Sequence, residues 1–161
     1  MRYFLIGFMK SGKTTVGKRL SEYLNIPHIS LDNLFELKHG SIVNFFKTKG
    51  ELKFRKEEQK IIYETFYPKN CIISCGGGVV GKWQNMAFIR SRGRVIYLHC
   101  ELKTLYARNN SLLRPNWKDR EYVAGLYSKR LPLYEKFSDL TIDNIDLEVT
   151  LERIIEYAQN N

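Results

Sequence analysis

Long apolar runs are missing from this chain of 161 residues, and none approaches the ~18 that a membrane span requires. The opening MRYFLIGFM is apolar, but it runs straight into a Gly- and Lys-rich loop. It lacks the basic n-region and small-residue cleavage site of a signal peptide. A cytoplasmic protein with no membrane partner is the expectation. Cysteine is scarce: Cys71, Cys75 and Cys100 have neither disulfide nor metal-ligand spacing and read as small buried hydrophobes. His28, His39 and His99 are scattered and suggest no ligand set. Acidic residues are in deficit, 17 against 26 basic ones, which leaves a net charge of +9. That balance suits a solvated basic surface, nucleic-acid binding, or anionic small molecules. Arg108, Arg114, Arg120 and Arg130 cluster in the last third, but no DNA- or RNA-binding motif accompanies them. No nucleic-acid partner is expected. Repeats, low-complexity tracts and linkers are absent as well, so residues 1–161 read as a single domain.

What is present is an alternation of strand-like and helix-like segments. Residues 2–6 form a short apolar run ending at a glycine, a buried strand. Residues 12–24 carry Val16, Leu20 and Leu24 at four-residue spacing, an amphipathic helix. Residues 27–31 read as a second strand. Segments 33–39, 41–47 and 51–66 read as helices, with Gly40 and Gly50 as stops. Residues 71–75 form a third strand that ends in Gly76, Gly77 and Gly78. A helix at 82–91, a strand at 94–99 and a short helix at 102–108 follow. The polar, basic stretch 109–119 contains Pro115, has no clear period and reads as a mobile loop. Residues 120–137 are helical by pattern, and Pro132 is expected to kink or split them. A fifth strand at 140–142 and a helix at 147–157 close the chain. The alternation predicts a parallel sheet covered on both faces, a three-layer α/β/α domain.

The sharpest local signal is Gly7-Phe8-Met9-Lys10-Ser11-Gly12-Lys13-Thr14, which fits G-x-x-x-x-G-K-[ST] at every fixed position. A strand precedes it and a helix follows, as a phosphate-binding P-loop needs. Glycines let backbone N–H groups curl around a phosphate, and the helix N-terminus adds positive dipole. Lys13 can reach the outer phosphates, and the Thr14 hydroxyl can bind Mg²⁺. Lys10 stands where many such loops have glycine, so its backbone must avoid glycine-only angles. The third strand ends without a carboxylate, and no N-K-x-D-like guanine-reading motif appears, which argues against a GTPase. A short chain with a basic loop near residue 114 suits a small-metabolite kinase with a lid.

Further motifs follow in order: Asp32-x-x-Phe35-Glu36, Gly50-Glu51-x-x-Phe54-Arg55, Ser74-Cys75-Gly76-Gly77-Gly78, Arg114-Pro115 and Lys129-Arg130-x-Pro132-x-Tyr134. Together with the phosphate loop they resemble the shikimate kinase family over nearly the whole chain. The resemblance implies a P-loop kinase fold with a five-stranded parallel sheet, substrate-binding helices at about 32–66 and a mobile lid at about 109–119. It implies transfer of the ATP γ-phosphoryl group to the 3-hydroxyl of shikimate, in aromatic amino-acid biosynthesis, with Mg²⁺ as cofactor and ATP and shikimate as the only partners of a monomer. Lys10, Ser11, Gly12, Lys13, Thr14 and Thr15, with Arg108 and Arg114, would bind ATP, and Thr14 would hold the metal. Asp32, Arg55, Gly77, Gly78 and Arg130 would bind shikimate. Lys13, Asp32 and Arg114 would be catalytic. Arg binds carboxylates bidentately, which suits the Arg55 and Arg130 roles. The chain departs from the family signature at Ser30, which stands where the first aspartate is usual, and this bears on the outer shell of the metal.

Plainer readings of the same residues stand beside these. Asp32 can cap the helix that follows it. Arg55 can pair with Glu51 or Glu58 on its own helix. Arg130 can be a solvated helix residue, Arg114 a loop charge, and the triple glycine a turn. Gluconate- or nucleotide-type kinases share the loop and lid, and a basic nucleotide-regulated binding module is the non-enzymatic alternative.

Overall fold

The computed structural model describes residues 1–108 and 120–160. The segment 109–119, with Arg114 and the expected lid, lies outside the described residues.

Five parallel strands form one sheet in the order β2-β3-β1-β4-β5. They are β1 (Arg2–Ile6), β2 (His28–Ser30), β3 (Cys71–Ser74), β4 (Arg94–His99) and β5 (Leu140–Asp143). Around it pack α1 (Lys13–Leu24), α2 (Leu31–His39), α3 (Ile42–Glu64), α4 (Trp83–Arg92), α5 (Leu102–Ala107), α6 (Arg120–Phe137) and α7 (Leu147–Gln159). Period-2 alternation sorts the strand residues onto the two faces. Phe4, Ile6, Ile73, Val95 and Tyr97 join one core with residues of α2, α3, α4 and α6. Tyr3, Leu5, Ile72, Ile96, Leu98 and Ile142 join a second core with Val16 and Leu20 of α1 and Leu151 and Ile154 of α7. The central strand β1 is buried on both faces, as a near-continuous apolar run in a parallel sheet requires. The sequence pattern therefore predicts the three layers correctly. The connection after β1 runs toward β2 and the one after β3 runs the other way, toward β4, which opens a crevice at the carboxyl ends of β1 and β3.

Two local expectations change. Ser30, not Asp32, caps α2: its hydroxyl accepts the Asn33 N–H at 3.3 Å, and Asp32 lies inside the first turn. The helix starts two residues earlier than its apolar pattern suggests. Of the kink or split expected at Pro132, the split does not occur: α6 runs continuously from Arg120 to Phe137. The proline withholds an N–H from the Ser128 carbonyl, and side-chain packing of Val123, Arg130, Tyr134 and Phe137 holds the helix together across the gap. Lys10 takes φ of 66°, in the left-handed region that favours glycine but that other residues can enter. A side chain there costs about 1–2 kcal/mol, which the curl of the phosphate loop imposes. Gly50 breaks its helix as the sequence predicts, although the two halves stay joined within α3. At Gly50 φ is 78° and ψ 168°, a conformation reserved for glycine.

Candidate active site

The loop between β1 and α1 wraps the floor of a cavity of about 410 Å³. Gly7 and Gly12 have positive φ, and Gly12 is the N-cap of α1. A Cβ on Gly7 would meet the Leu98 carbonyl oxygen at 2.6 Å, so only glycine lets the loop pass β4. Lys13 is buried, and its Nζ donates to the carbonyls of Gly7 at 2.9 Å and Phe8 at 2.8 Å. The curl thus turns carbonyls toward Lys13. Lys10, Gly12, Lys13, Thr14, Thr15 and Arg108 all line the cavity. Ser11 is fully buried behind it. Arg108, at the end of α5, donates Nη2 to the Asn144 carbonyl at 2.7 Å. Asp32 and Ser30 close the opposite wall.

The triple glycine joins this cavity to a second site. Met9, Asp32 and Gly77 line both the phosphate-loop cavity and a small cleft that also contains Arg55, Glu58, Gly76, Gly78 and Arg130. A Cβ on Gly78 would lie 2.3 Å from the Arg55 guanidinium, and one on Gly76 would lie 2.6 Å from a Glu58 carboxylate oxygen. The bare backbone is what admits these side chains. Arg55 donates Nη1 to Glu58 at 2.8 Å and approaches Glu51 at 3.5 Å. The pairing with Glu58 is buried rather than exposed, because both side chains lie against the glycine turn. Burial opposes charge on Arg55, but Glu58 and Glu51 hold its pKa above the ordinary value. Burial raises Glu58 above the ordinary carboxyl value, and Arg55 opposes that shift.

Arg130 is only 7% exposed, so it is not a solvated helix residue. Its guanidinium lies 5.9 Å from the Phe8 ring centre. Burial lowers its pKa, and the nearby Arg55 charge works in the same direction. Among the described residues it has no carboxylate at ion-pair distance. Two cations thus share one cleft with Glu58, and a buried charge without full compensation calls for an anion. Tyr134, one turn beyond Arg130, donates its hydroxyl to the Gly77 carbonyl and fixes the turn. The cleft opens outward into a chamber of about 890 Å³ with Leu52, Tyr122, Leu126 and Lys129 in its walls.

The structure brings together every described candidate: Lys10 to Thr15 with Arg108 at one end, and Asp32, Gly77, Gly78, Arg55 and Arg130 at the other. Arg114 lies outside the described residues. Sequence reading missed Asn144 altogether and saw Glu58 only as a possible partner for Arg55. The i, i+3 spacing of Arg55 and Glu58 was a usable signal. Asn144 reaches Ser11 across 133 residues, and no local pattern announces that.

Ser74 is also committed to structure: its hydroxyl donates to the Lys13 carbonyl at 3.0 Å and meets His28 Nε2 at 2.8 Å. Among the described residues no group of three or more His, Cys, Asp or Glu side chains is placed to hold a metal. The cavity offers instead the Thr14 and Ser30 hydroxyls and the Asp32 carboxylate. Such an all-oxygen, ligand-poor set fits Mg²⁺, which keeps several waters and leans on nucleotide phosphates. No helix among the described residues is long and apolar enough to cross a membrane.

A family model described as shikimate kinase matches residues 9–159. A shikimate kinase of Dictyoglomus turgidum is 42% identical, over 97% of this chain and 96% of that protein. A shikimate kinase from Acinetobacter baumannii, solved in complex with shikimate, superposes with a TM-score of 0.93 at 28% identity, covering 99% of this chain and 93% of that one. The enzyme from Aquifex aeolicus superposes with a TM-score of 0.84 at 30% identity, covering 100% and 98%. The motifs, the sheet order and these likenesses agree, and the chain belongs to the shikimate kinase family.

Proposed function

We propose that this chain transfers the γ-phosphoryl group of ATP to the 3-hydroxyl of shikimate, giving shikimate 3-phosphate and ADP. The observation that carries the reading is the junction of the two sites: Asp32 and Gly77 line both the phosphate-loop cavity and the cleft of Arg55 and Arg130. An acceptor anchored by its carboxylate on those two arginines has its ring beside Gly77 and a hydroxyl beside Asp32. The attacking oxygen then faces the phosphate loop, and positioning of this kind supplies much of the catalysis in phosphoryl transfer.

The roles follow from chemistry. Arg55 and Arg130 bind the carboxylate, Arg55 held in orientation by Glu58 and Glu51. Asp32 accepts a hydrogen bond from the attacking hydroxyl and takes its proton as the oxygen bonds to phosphorus. Lys13 exchanges its carbonyl partners for phosphate oxygens and offsets charge that builds on the transferred group. Backbone N–H groups of the loop and the start of α1 hold the β-phosphate. Arg108 packs beside the base, and Arg114 supplies a further cation to the transferred group. Thr14 would hold Mg²⁺, with Ser30 and Asp32 reaching its waters; the ion, when bound, neutralises charge on the phosphates. The chain acts as a monomer in the cytoplasm, with no nucleic-acid or membrane partner. ADP release measured with ATP plus shikimate, gluconate or a nucleoside monophosphate tests this reading. Turnover only with shikimate is the expected result. Equal turnover with another acceptor overturns it.

A further inference from the structure

Asn144 is 4% exposed, and each of its hydrogen-bonding groups has a partner. Its backbone N–H donates to the His99 carbonyl at 2.8 Å, and its carbonyl accepts from Arg108 at 2.7 Å. Its side-chain Nδ2 donates to the Ser11 carbonyl at 2.5 Å, while Oδ1 lies 2.9 Å from the Thr150 hydroxyl, whose single hydrogen is shared with the Asp146 carbonyl at 2.7 Å. The amide orientation is forced, because a carbonyl can only accept and so needs the nitrogen facing it. Gly12 is bare for the same reason: a Cβ there would lie 2.5 Å from Asn144 Nδ2.

We infer that Asn144 is a positioning residue for the phosphate-binding N–H of Gly12. The peptide between Ser11 and Gly12 is planar and trans, so its C=O and N–H point in opposite directions. Drawing the Ser11 carbonyl toward Asn144 turns the Gly12 N–H away from it. That N–H belongs to the N-terminal turn of α1, where donors converge on an anion. Thr150 backs the amide on its other side and is itself fully buried. Through Arg108 the same residue ties the base side of the cavity to the phosphate side. Ser11 is thereby fastened to the far edge of the sheet, where β5 hands over to α7. This inference rests on the proposed nucleotide site and adds to it a residue outside the phosphate-loop motif.

Asn144→Asp is the sharp variant. It is isosteric, but its carboxylate sets oxygen against oxygen at the Ser11 carbonyl. Calorimetric titration at pH 8 should show ADP affinity reduced about tenfold to a hundredfold, the usual worth of a hydrogen bond to a charged group. Shikimate and adenosine affinities should stay within about twofold. The loss relative to wild type should shrink as pH is lowered, because the protonated carboxyl can donate to Ser11 as the amide does. Thr150→Val, which removes the hydroxyl beside the amide without adding a charge, should weaken ADP binding about threefold and serves if the first variant does not fold. Unchanged ADP affinity in the variants that fold overturns the inference, as does an equal loss for ADP, adenosine and shikimate. Lys13→Ala is the control: if it also leaves ADP binding intact, the nucleotide-site reading fails instead.

Discussion

Gly78 shows how much one missing carbon decides. Its Cβ would fall 2.3 Å from the Arg55 guanidinium, the far end of a flexible side chain, so the fold can yield while the clamp cannot. Gly78→Ala should therefore fold normally and raise KM for shikimate at least tenfold, with KM for ATP little changed; an unaltered shikimate KM counts against the clamp. Arg130→Ala should cost about 2–5 kcal/mol of shikimate affinity in a calorimetric titration, and Arg130→Lys should recover little of it, since a point charge cannot form the bidentate fork. Ser30 carries a different lesson. As N-cap of α2 it is worth about 1 kcal/mol of stability against alanine, measurable by urea unfolding. Asp caps as well, so Ser30→Asp should keep that stability while placing a carboxylate in the nucleotide cavity. The Mg²⁺ concentration for half-maximal activity should then fall; an unmoved midpoint means that position 30 does not reach the metal's waters.

Elements set where those residues stand. The two halves of α3 meet at Gly50, whose angles no side chain tolerates, although nothing lies within 4 Å of a Cβ there. Gly50→Ala should thus destabilise by about 1–3 kcal/mol through backbone strain alone. Urea unfolding gives the number, and a change under a few tenths would refute the strained turn. The same substitution tilts the half-helix that carries Arg55, so shikimate affinity should drop with it. This break was legible in the sequence because glycine acts locally. So were β1, β4, the phosphate loop and the two-faced burial of the sheet, which follow from period and apolar runs. The start of α2 was not legible, because Ser30 and Asp32 are both good capping residues and only the backbone path chooses between them. The continuity of α6 through Pro132 was hidden too, since packing of Val123, Tyr134 and Phe137 outweighs one lost hydrogen bond. Asn144 was invisible because its partner is far away in sequence.

At the scale of the molecule, the layers should respond to acid through His28. It sits at the start of β2, with Nε2 against the Ser74 hydroxyl that holds the first turn of α1. Burial lowers its pKa, and Lys18 adds to the shift. A histidine depressed in the folded state is neutral there and charges more readily when unfolded. Its contribution is present in full above the unfolded pKa of about 6.5 and is lost as pH falls through the lower folded value. Thermal unfolding from pH 8 down to 5 should show this acid-side loss, and His28→Asn should flatten it; an identical pH profile in both proteins removes His28 from the explanation.

Among the described residues the two cavities overlap at Met9, Asp32 and Gly77, and otherwise draw on separate parts of the chain. Residues 7–15, Arg108 and Asn144 serve the donor half, while the second half of α3, the glycine turn and α6 serve the acceptor half. Such a layout is modular in an evolutionary sense: a lineage can change what it phosphorylates while inheriting its means of phosphorylating intact. Directed selection for a new acceptor should accumulate its substitutions around positions 46–58 and 122–133 and leave the donor half as it stands.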